Sequence, residues 1–227
     1  MKQSSDDDKK HYKTAGPEPR TAAGQKSEIS QYDKSTLCII HACGMTKTDP
    51  LSAMSEIFSE PETEERIKSL ARRDLVTEDV RVTAAGRAAL TVVLVGGVFD
   101  IIHHGHIHML NAARSLGDML VVVVASDNTA RKSKRKAPLC HTEDIRQHLV
   151  SMIRAVDACV VGAEGSIFDT VEAIRPDVIA LGYDQAHRKE DIEDGCGKLG
   201  LDVEVVRLES PMPDVSSSNL KSNLEDL

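Results

Sequence analysis

The chain has no tryptophan and only three phenylalanines and three tyrosines among 227 residues, which argues against recognition by stacking on a set of aromatic rings. No apolar run approaches the roughly 20 residues needed to cross a bilayer. Basic residues are not in excess. With 36 Asp+Glu against 28 Lys+Arg and a formal net charge of −8, general binding to a polyanion such as DNA is disfavoured. The five cysteines (Cys38, Cys43, Cys140, Cys159, Cys196) are odd in number, scattered and without a CxxC pair. That pattern suits reduced thiols rather than a disulfide framework or a zinc site. The polar start MKQSSDDDKKHYK has no signal-peptide core. A soluble, cytoplasmic protein with no membrane partner is expected.

What is present falls into three stretches. Residues 1–33 mix Ser, Asp, Lys, Gly and Pro without hydrophobic periodicity, and such a stretch cannot bury enough apolar surface to offset its ordering entropy. They are expected to form a disordered tail. Residues 34–90 read as three short helices, near 36–43, 50–58 and 63–73, then two strand-like pieces around an acidic turn at 74–87. Three helices and a hairpin resemble a winged helix-turn-helix domain. This stretch holds eight Lys/Arg and nine Asp/Glu, whereas a DNA reader should carry a basic face. Arg66, Lys68, Arg72 and Arg73 do cluster on the third helix, but packing or dimerisation is the default role.

From residue 91 to 227 strands and helices alternate. Apolar, β-branched runs at 92–95, 120–125, 158–161, 178–181 and 203–206 have the character of strands buried on both faces. Helical stretches at 105–116, 142–156, 167–174 and 189–199 lie between them, and 217–227 reads as a last short helix. The alternation predicts an α/β, Rossmann-like, doubly wound parallel sheet of five strands.

The first strand runs into Gly96-Gly97-Val98-Phe99-Asp100-Ile101-Ile102-His103-His104-Gly105-His106. In a doubly wound sheet, ligands sit beyond the carboxyl ends of the strands, where this segment falls. Glycines let backbone pass close to a phosphate, and a helix N-terminus offers N–H groups and a positive dipole end. His103 and His106 add donors toward oxygens whose charge grows as phosphorus is attacked. Gly105 leaves room for a nucleotide at the helix start.

The pattern Gly97-x-Phe99-Asp100-x-x-His103-x-Gly105-His106 resembles the HxGH signature of the cytidylyltransferase-like nucleotidyltransferases, a family that includes lipid-headgroup and polyol-phosphate cytidylyltransferases and archaeal FAD synthases. The resemblance spans about 92–220. Ser126-Asp127-Asn128-Thr129 resembles the family's (S/R)DxT segment, and the 131–138 stretch with Lys132, Lys134 and Lys136 resembles its triphosphate-gripping loop. Arg146 falls where the family has an arginine, and Arg154-Ala155-Val156-Asp157 resembles its K/R-x-VD segment. Leu181-Gly182-Tyr183-Asp184-Gln185 matches LGxDQ, and Val215-Ser216-Ser217-Ser218 resembles the turn that opens the last helix and donates to phosphate. The resemblance implies transfer of an NMP from CTP or ATP to a phosphorylated small molecule (FMN, or a polyol or headgroup phosphate) with release of pyrophosphate, Mg²⁺ accompanying the NTP, and a homodimer. It casts His103, His106 and Lys136 as catalytic. Gly97, Val98, Phe99, Asp100, Gly105, Asp127, Lys132, Lys134, Arg154, Gly182, Asp184, Gln185, Ser216, Ser217 and Ser218 would bind the nucleotide.

There are departures. Val98 stands where a hydroxyl residue is common, His104 where Pro is frequent, and the basic loop reads KRKAP in place of KGRKP, so which lysine meets the triphosphate is open. Alternatives exist for single residues too. Four histidines within 103–108 raise a metal site, but no Cys, Asp or Glu joins them at ligand spacing. Asp100 fits either a helix N-cap or a partner that orients His103 or holds water on Mg²⁺. A reading from another class is a nucleotide-sensing regulator that binds DNA through the winged helix.

Overall fold

The computed structural model of the protein describes residues 29–133, 138–183 and 185–209. In chain order these form α1 (Gln31–Thr46), α2 (Pro50–Ser55), α3 (Glu60–Arg72), α4 (Ala84–Ala88), β1 (Val92–Gly97), α5 (His104–Arg114), β2 (Met119–Val124), α6 (Asp127–Ser133), α7 (Glu143–Ser151), β3 (Ala158–Val161), α8 (Ile167–Ile174), β4 (Val178–Leu181), α9 (Lys189–Lys198) and β5 (Glu204–Arg207).

The five strands pair in parallel in the order β3-β2-β1-β4-β5. The chain builds outward from β1 in one direction, then returns to place β4 on the other side. That reversal, between β1 and β4, is the switch point at which doubly wound sheets leave a crevice.

Valine-rich strands sit here because side chains alternate across a sheet covered on both sides. Along β1, Val92 and Leu94 join one apolar cluster while Val93 and Val95 join the other. Helices α8 and α9 cover the first face with Val171, Ile174, Ile192 and Cys196, and α1 to α3 add Leu37, Ile40, Met54 and Leu70. Leu110, Ala113 and Val150 of α5 and α7 cover the second. Burying each of the Val, Leu, Ile and Met side chains among them contributes about 1.5–3 kcal/mol relative to exposure.

The N-terminal helices therefore share a core with the sheet. Two ion pairs also tie them to its amino edge. Lys34 meets Asp118 at 2.8 Å, and Arg87 meets Asp177 at 3.0 Å. Both carboxylates accept amides at the start of β1 as well, Thr91 N to Asp118 at 2.9 Å and Val92 N to Asp177 at 2.7 Å. The strands point their carboxyl ends the other way, so this docking lies opposite the switch-point crevice.

Several expectations need correction. Gln31, Tyr32 and Asp33, assigned to the tail, form the first turn of α1, capped by Ser30, whose hydroxyl accepts Asp33 N at 3.1 Å. The expected hairpin at 74–87 is a single bridge, Val76 to Val82. Asp74 and Val80 take positive φ, which breaks a longer ladder, and Thr83 caps a fourth helix by accepting Gly86 N at 3.0 Å. The basic stretch expected as a loop begins inside α6. Ser126 Oγ accepts Thr129 N at 3.2 Å to start that helix, Ala130 is fully buried, and Arg and Lys are good helix formers. The helix expected to run to 156 stops at Ser151, with a turn before β3. The helix expected at 217–227 and residues 1–28 lie outside the described residues.

Candidate active site

The site begins at the carboxyl end of β1. Phe99 takes a left-handed backbone (φ 53°) while buried, a conformation worth about 1–3 kcal/mol of strain in a non-glycine residue. Its ring lies 5.1 Å from that of His106, and a Cβ on Gly97 would fall 2.7 Å from it. Gly97 thus makes room for Phe99, a role not foreseen in its expected approach to phosphate.

Asp100 is fully buried and does not cap the helix. Its Oδ1 accepts the amides of Cys140 at 2.9 Å and His141 at 3.3 Å, and its carbonyl pairs with His141 Nδ1 at 2.9 Å. The N-cap residue of α5 is His103, whose side chain makes no capping bond. The rings of His103 and His106 lie side by side, with centroids 3.9 Å apart and planes inclined by 30°. Both side chains are half-buried, and Gly105 lies between them in the first turn. Two imidazoles at that spacing, beside the first-turn amides of a helix, can share one anion.

A second group of contacts fixes this turn. Arg146 is fully buried on α7. Its Nη1 donates to Val98 O at 2.7 Å, its Nη2 to Asp127 at 2.7 Å and its Nε to His141 O at 3.2 Å. One guanidinium joins the turn after β1, the start of α6 and the segment ahead of α7. Gly97 O also accepts Ala125 N at 2.8 Å. Across the crevice, Gln185 Nε2 donates to Gly96 O at 2.6 Å. Buried Cys38 and Cys159 thiols are pushed up to about 12 by burial, so neither is a thiolate nucleophile at neutral pH.

A turn of paired imidazoles at a helix start, set in a switch-point crevice, is an arrangement able to hold a phosphate. The cytidylyltransferase-like family model matches residues 94–223, more than half the chain and all of this site. The chain belongs to the cytidylyltransferase-like family. It is 43% identical over 127 residues to the FAD synthase of Picrophilus torridus, which covers 56% of this chain and 90% of that protein. The FAD synthase of Pyrococcus horikoshii is 49% identical over 117 residues, covering 51% of this chain and 78% of the relative. Among solved structures, the lipopolysaccharide core biosynthesis protein of Thermoplasma volcanium superposes with a TM-score of 0.52 at 41% identity, over 53% of this chain and 98% of that one. The protein is a nucleotidyltransferase of this family.

In this cytidylyltransferase-like enzyme the predicted residues divide into four groups. Gly97, Val98, Phe99, Asp100, His103, Gly105 and His106 come together in the β1–α5 turn, joined by Asp127 through Arg146 and by Gln185 through Gly96. Gly182 is buried directly after β4, and Lys132 is exposed near the end of α6. Arg154 is not brought there. It is exposed just before β3, at the amino edge, where Asp157 N donates to Leu120 O at 3.0 Å. The strands rise about 3.3 Å per residue, which separates that edge from the histidines by most of a strand's length. Lys134, Lys136, Asp184, Ser216, Ser217 and Ser218 lie outside the described residues.

Asp127 has its carboxylate engaged by Arg146 and, at 3.8 Å, by Arg131, so it braces the site. The motifs marked Arg146 without giving it a role. A signal was present, since a cation one helical turn before Val150 shares the face of α7 that turns inward. His141 and Arg207 carried no signal, because their partners are backbone carbonyls set only by the fold.

Proposed function

We propose that this nucleotidyltransferase adenylylates FMN, joining the AMP group of ATP to the FMN phosphate with release of pyrophosphate. A phosphate oxygen of FMN attacks the α-phosphorus of ATP, the bond from that phosphorus to the bridging oxygen breaks, and pyrophosphate carries the pair of electrons away. The observation that carries the reading is the His103–His106 ring pair, 3.9 Å apart at the start of α5, where two donors can follow the charge that builds on the α-phosphate oxygens. The FMN and ATP assignment is supported by similarity to FAD synthases of several archaea over the whole site region.

Lys132, near the end of α6 beyond β2, and the lysines that follow it in sequence are suited to neutralise the β- and γ-phosphates. Among the described residues no cluster of His, Cys, Asp or Glu is placed to hold a metal, and the Asp100 and Asp127 carboxylates are already engaged. That donor set fits Mg²⁺ carried chiefly by the triphosphate itself, where it supplies charge neutralisation. A cytoplasmic setting suits five free thiols, and no helix among the described residues is long and apolar enough to cross a membrane. We infer a homodimer from the family resemblance, and sedimentation equilibrium tests it.

The DNA-binding regulator is the weaker reading because three of the four cations at α3, namely Arg66, Lys68 and Arg73, have partners within the protein. Arg66 is buried, its guanidinium over the rings of Tyr32 and Phe58 at 3.2 and 3.7 Å. Lys68 pairs with Glu64, and Arg73 with Asp33 at 2.7 Å. The test is pyrophosphate release from ATP and CTP, each offered FMN, glycerol phosphate, phosphocholine and inositol phosphate. ATP with FMN is expected to give the highest kcat/KM, with FAD as the product. Turnover of CTP with a polyol or headgroup phosphate, and none with FMN, would replace this reading with the cytidylyltransferase one.

A further inference from the structure

The wall of the crevice facing the histidines is the segment that leaves β4, since β4 lies beside β1 across the switch point. That segment is gripped by a single side chain from the neighbouring strand. Arg207, the last residue of β5, pairs in register with Leu181, the last residue of β4. Its Nη1 donates to Gly182 O at 2.9 Å and to Gln185 O at 3.1 Å, and its Nη2 donates to His187 O. The carbonyls of Gly182, Gln185 and His187 converge on one guanidinium. Gln185, between the first and last of them, sends its amide across the crevice to Gly96 O at 2.6 Å.

We propose that Arg207 is a positioning residue for nucleotide selection, fixing the β4 wall so that its backbone groups meet the base of the bound nucleotide at one set of positions. This rests on the nucleotidyltransferase reading of the site and deepens it. Backbone N–H and C=O groups discriminate bases only when their directions are set in advance, because an edge that mixes donors and acceptors demands matching groups in register. Arginine suits the task. It stays charged at every physiological pH, and its planar fork holds donors at fixed angles, which the point-like ammonium of lysine cannot reproduce. The grip lies on the far side of the wall from the turn bearing His103 and His106. Its loss should therefore weaken and blur nucleotide binding more than it slows the chemical step.

The test uses the full-length protein with Arg207→Ala and Arg207→Lys. Binding of ATP and CTP with Mg²⁺ is measured by calorimetry without acceptor, and turnover is measured with ATP and FMN. For Arg207→Ala we expect ATP affinity to fall about tenfold, the ATP-to-CTP preference to shrink by a similar factor, and kcat to stay within about threefold. Arg207→Lys should recover less than half of the lost affinity on a logarithmic scale. Loss of thermal stability with an unchanged ATP-to-CTP preference, or full recovery by lysine, would overturn the inference. If the wild-type protein binds ATP but does not adenylylate FMN, the acceptor assignment fails, and the binding arm still decides the role of Arg207.

Discussion

Replacing Arg146 by methionine should both destabilise the protein and slow it. The side chain is fully buried and makes three polar contacts, to Asp127 at 2.7 Å, Val98 O at 2.7 Å and His141 O at 3.2 Å. Methionine keeps most of the stem and removes every donor. Breaking a buried ion pair by deleting one partner costs about 3–5 kcal/mol, and each carbonyl left without a donor adds part of about 1–3 kcal/mol. Two features reduce the sum. Asp127 is 22% exposed, so water reaches it, and Arg131 at 3.8 Å remains as a weak, exposed partner. We expect a net loss of about 4 kcal/mol, seen in urea titrations followed by circular dichroism and as a fall in Tm of about 10 °C. Because Val98 O anchors the turn that carries His103, kcat should fall at least about tenfold. Adding Asp127→Asn removes the unpaired charge and should restore about half of the lost stability. A change under about 1 kcal/mol with normal turnover would refute the bracing role.

Gly97→Ala puts a Cβ 2.7 Å from the Phe99 ring; we expect a loss of about 1–3 kcal/mol in thermal unfolding and a clear drop in kcat, both relieved in part by adding Phe99→Leu. His41 is held down to about 4, first by burial and then by the positive charge of Arg87, and its Nε2 is buried without a hydrogen-bond partner among the described residues. The unfolded chain takes up this proton near 6.5 and the folded one only near 4, so the stability present above pH 6.5 is lost as pH falls through that window. The loss should approach roughly 3 kcal/mol at most, less to the extent that water reaches the ring. Urea midpoints of wild type and His41→Leu, compared from pH 7 to pH 4, check this, with a flatter profile expected for the variant. Arg154→Ala should leave kcat and the KM for ATP within about twofold, since the residue lies at the amino edge; a tenfold rise in KM would return Arg154 to the site.

The sheet and the clustering of the HxGH residues at the end of β1 were legible in the sequence for a shared reason. Strands covered on both faces must be apolar throughout, so runs such as Met119–Val124 announce themselves. The HxGH turn is local, with all its chemistry inside a few consecutive residues. What was missed depends on contacts distant in sequence. Asp100 meets the amides of residues 140 and 141, and Arg207 meets Gly182, Gln185 and His187, pairings no spacing rule can anticipate. Arg154 lies at the amino edge of the sheet, a placement its motif match says nothing about. The helical start of the basic stretch was hidden by charge, which reads as loop until Ala130 is seen packed beneath it. The hairpin failed for another reason. Val76 and Val82 do pair, but positive φ at Asp74 and Val80 and the Thr83 cap divert the chain into α4.

The most direct measurement is the rate of pyrophosphate release at saturating ATP and FMN by the wild type, His103→Ala and His106→Ala. If the paired rings carry the developing charge of the α-phosphate, each variant should lose about 10²–10³ in kcat while the KM for ATP changes little. Turnover within about threefold of wild type in either variant would contradict the assignment of that imidazole to the reacting phosphate.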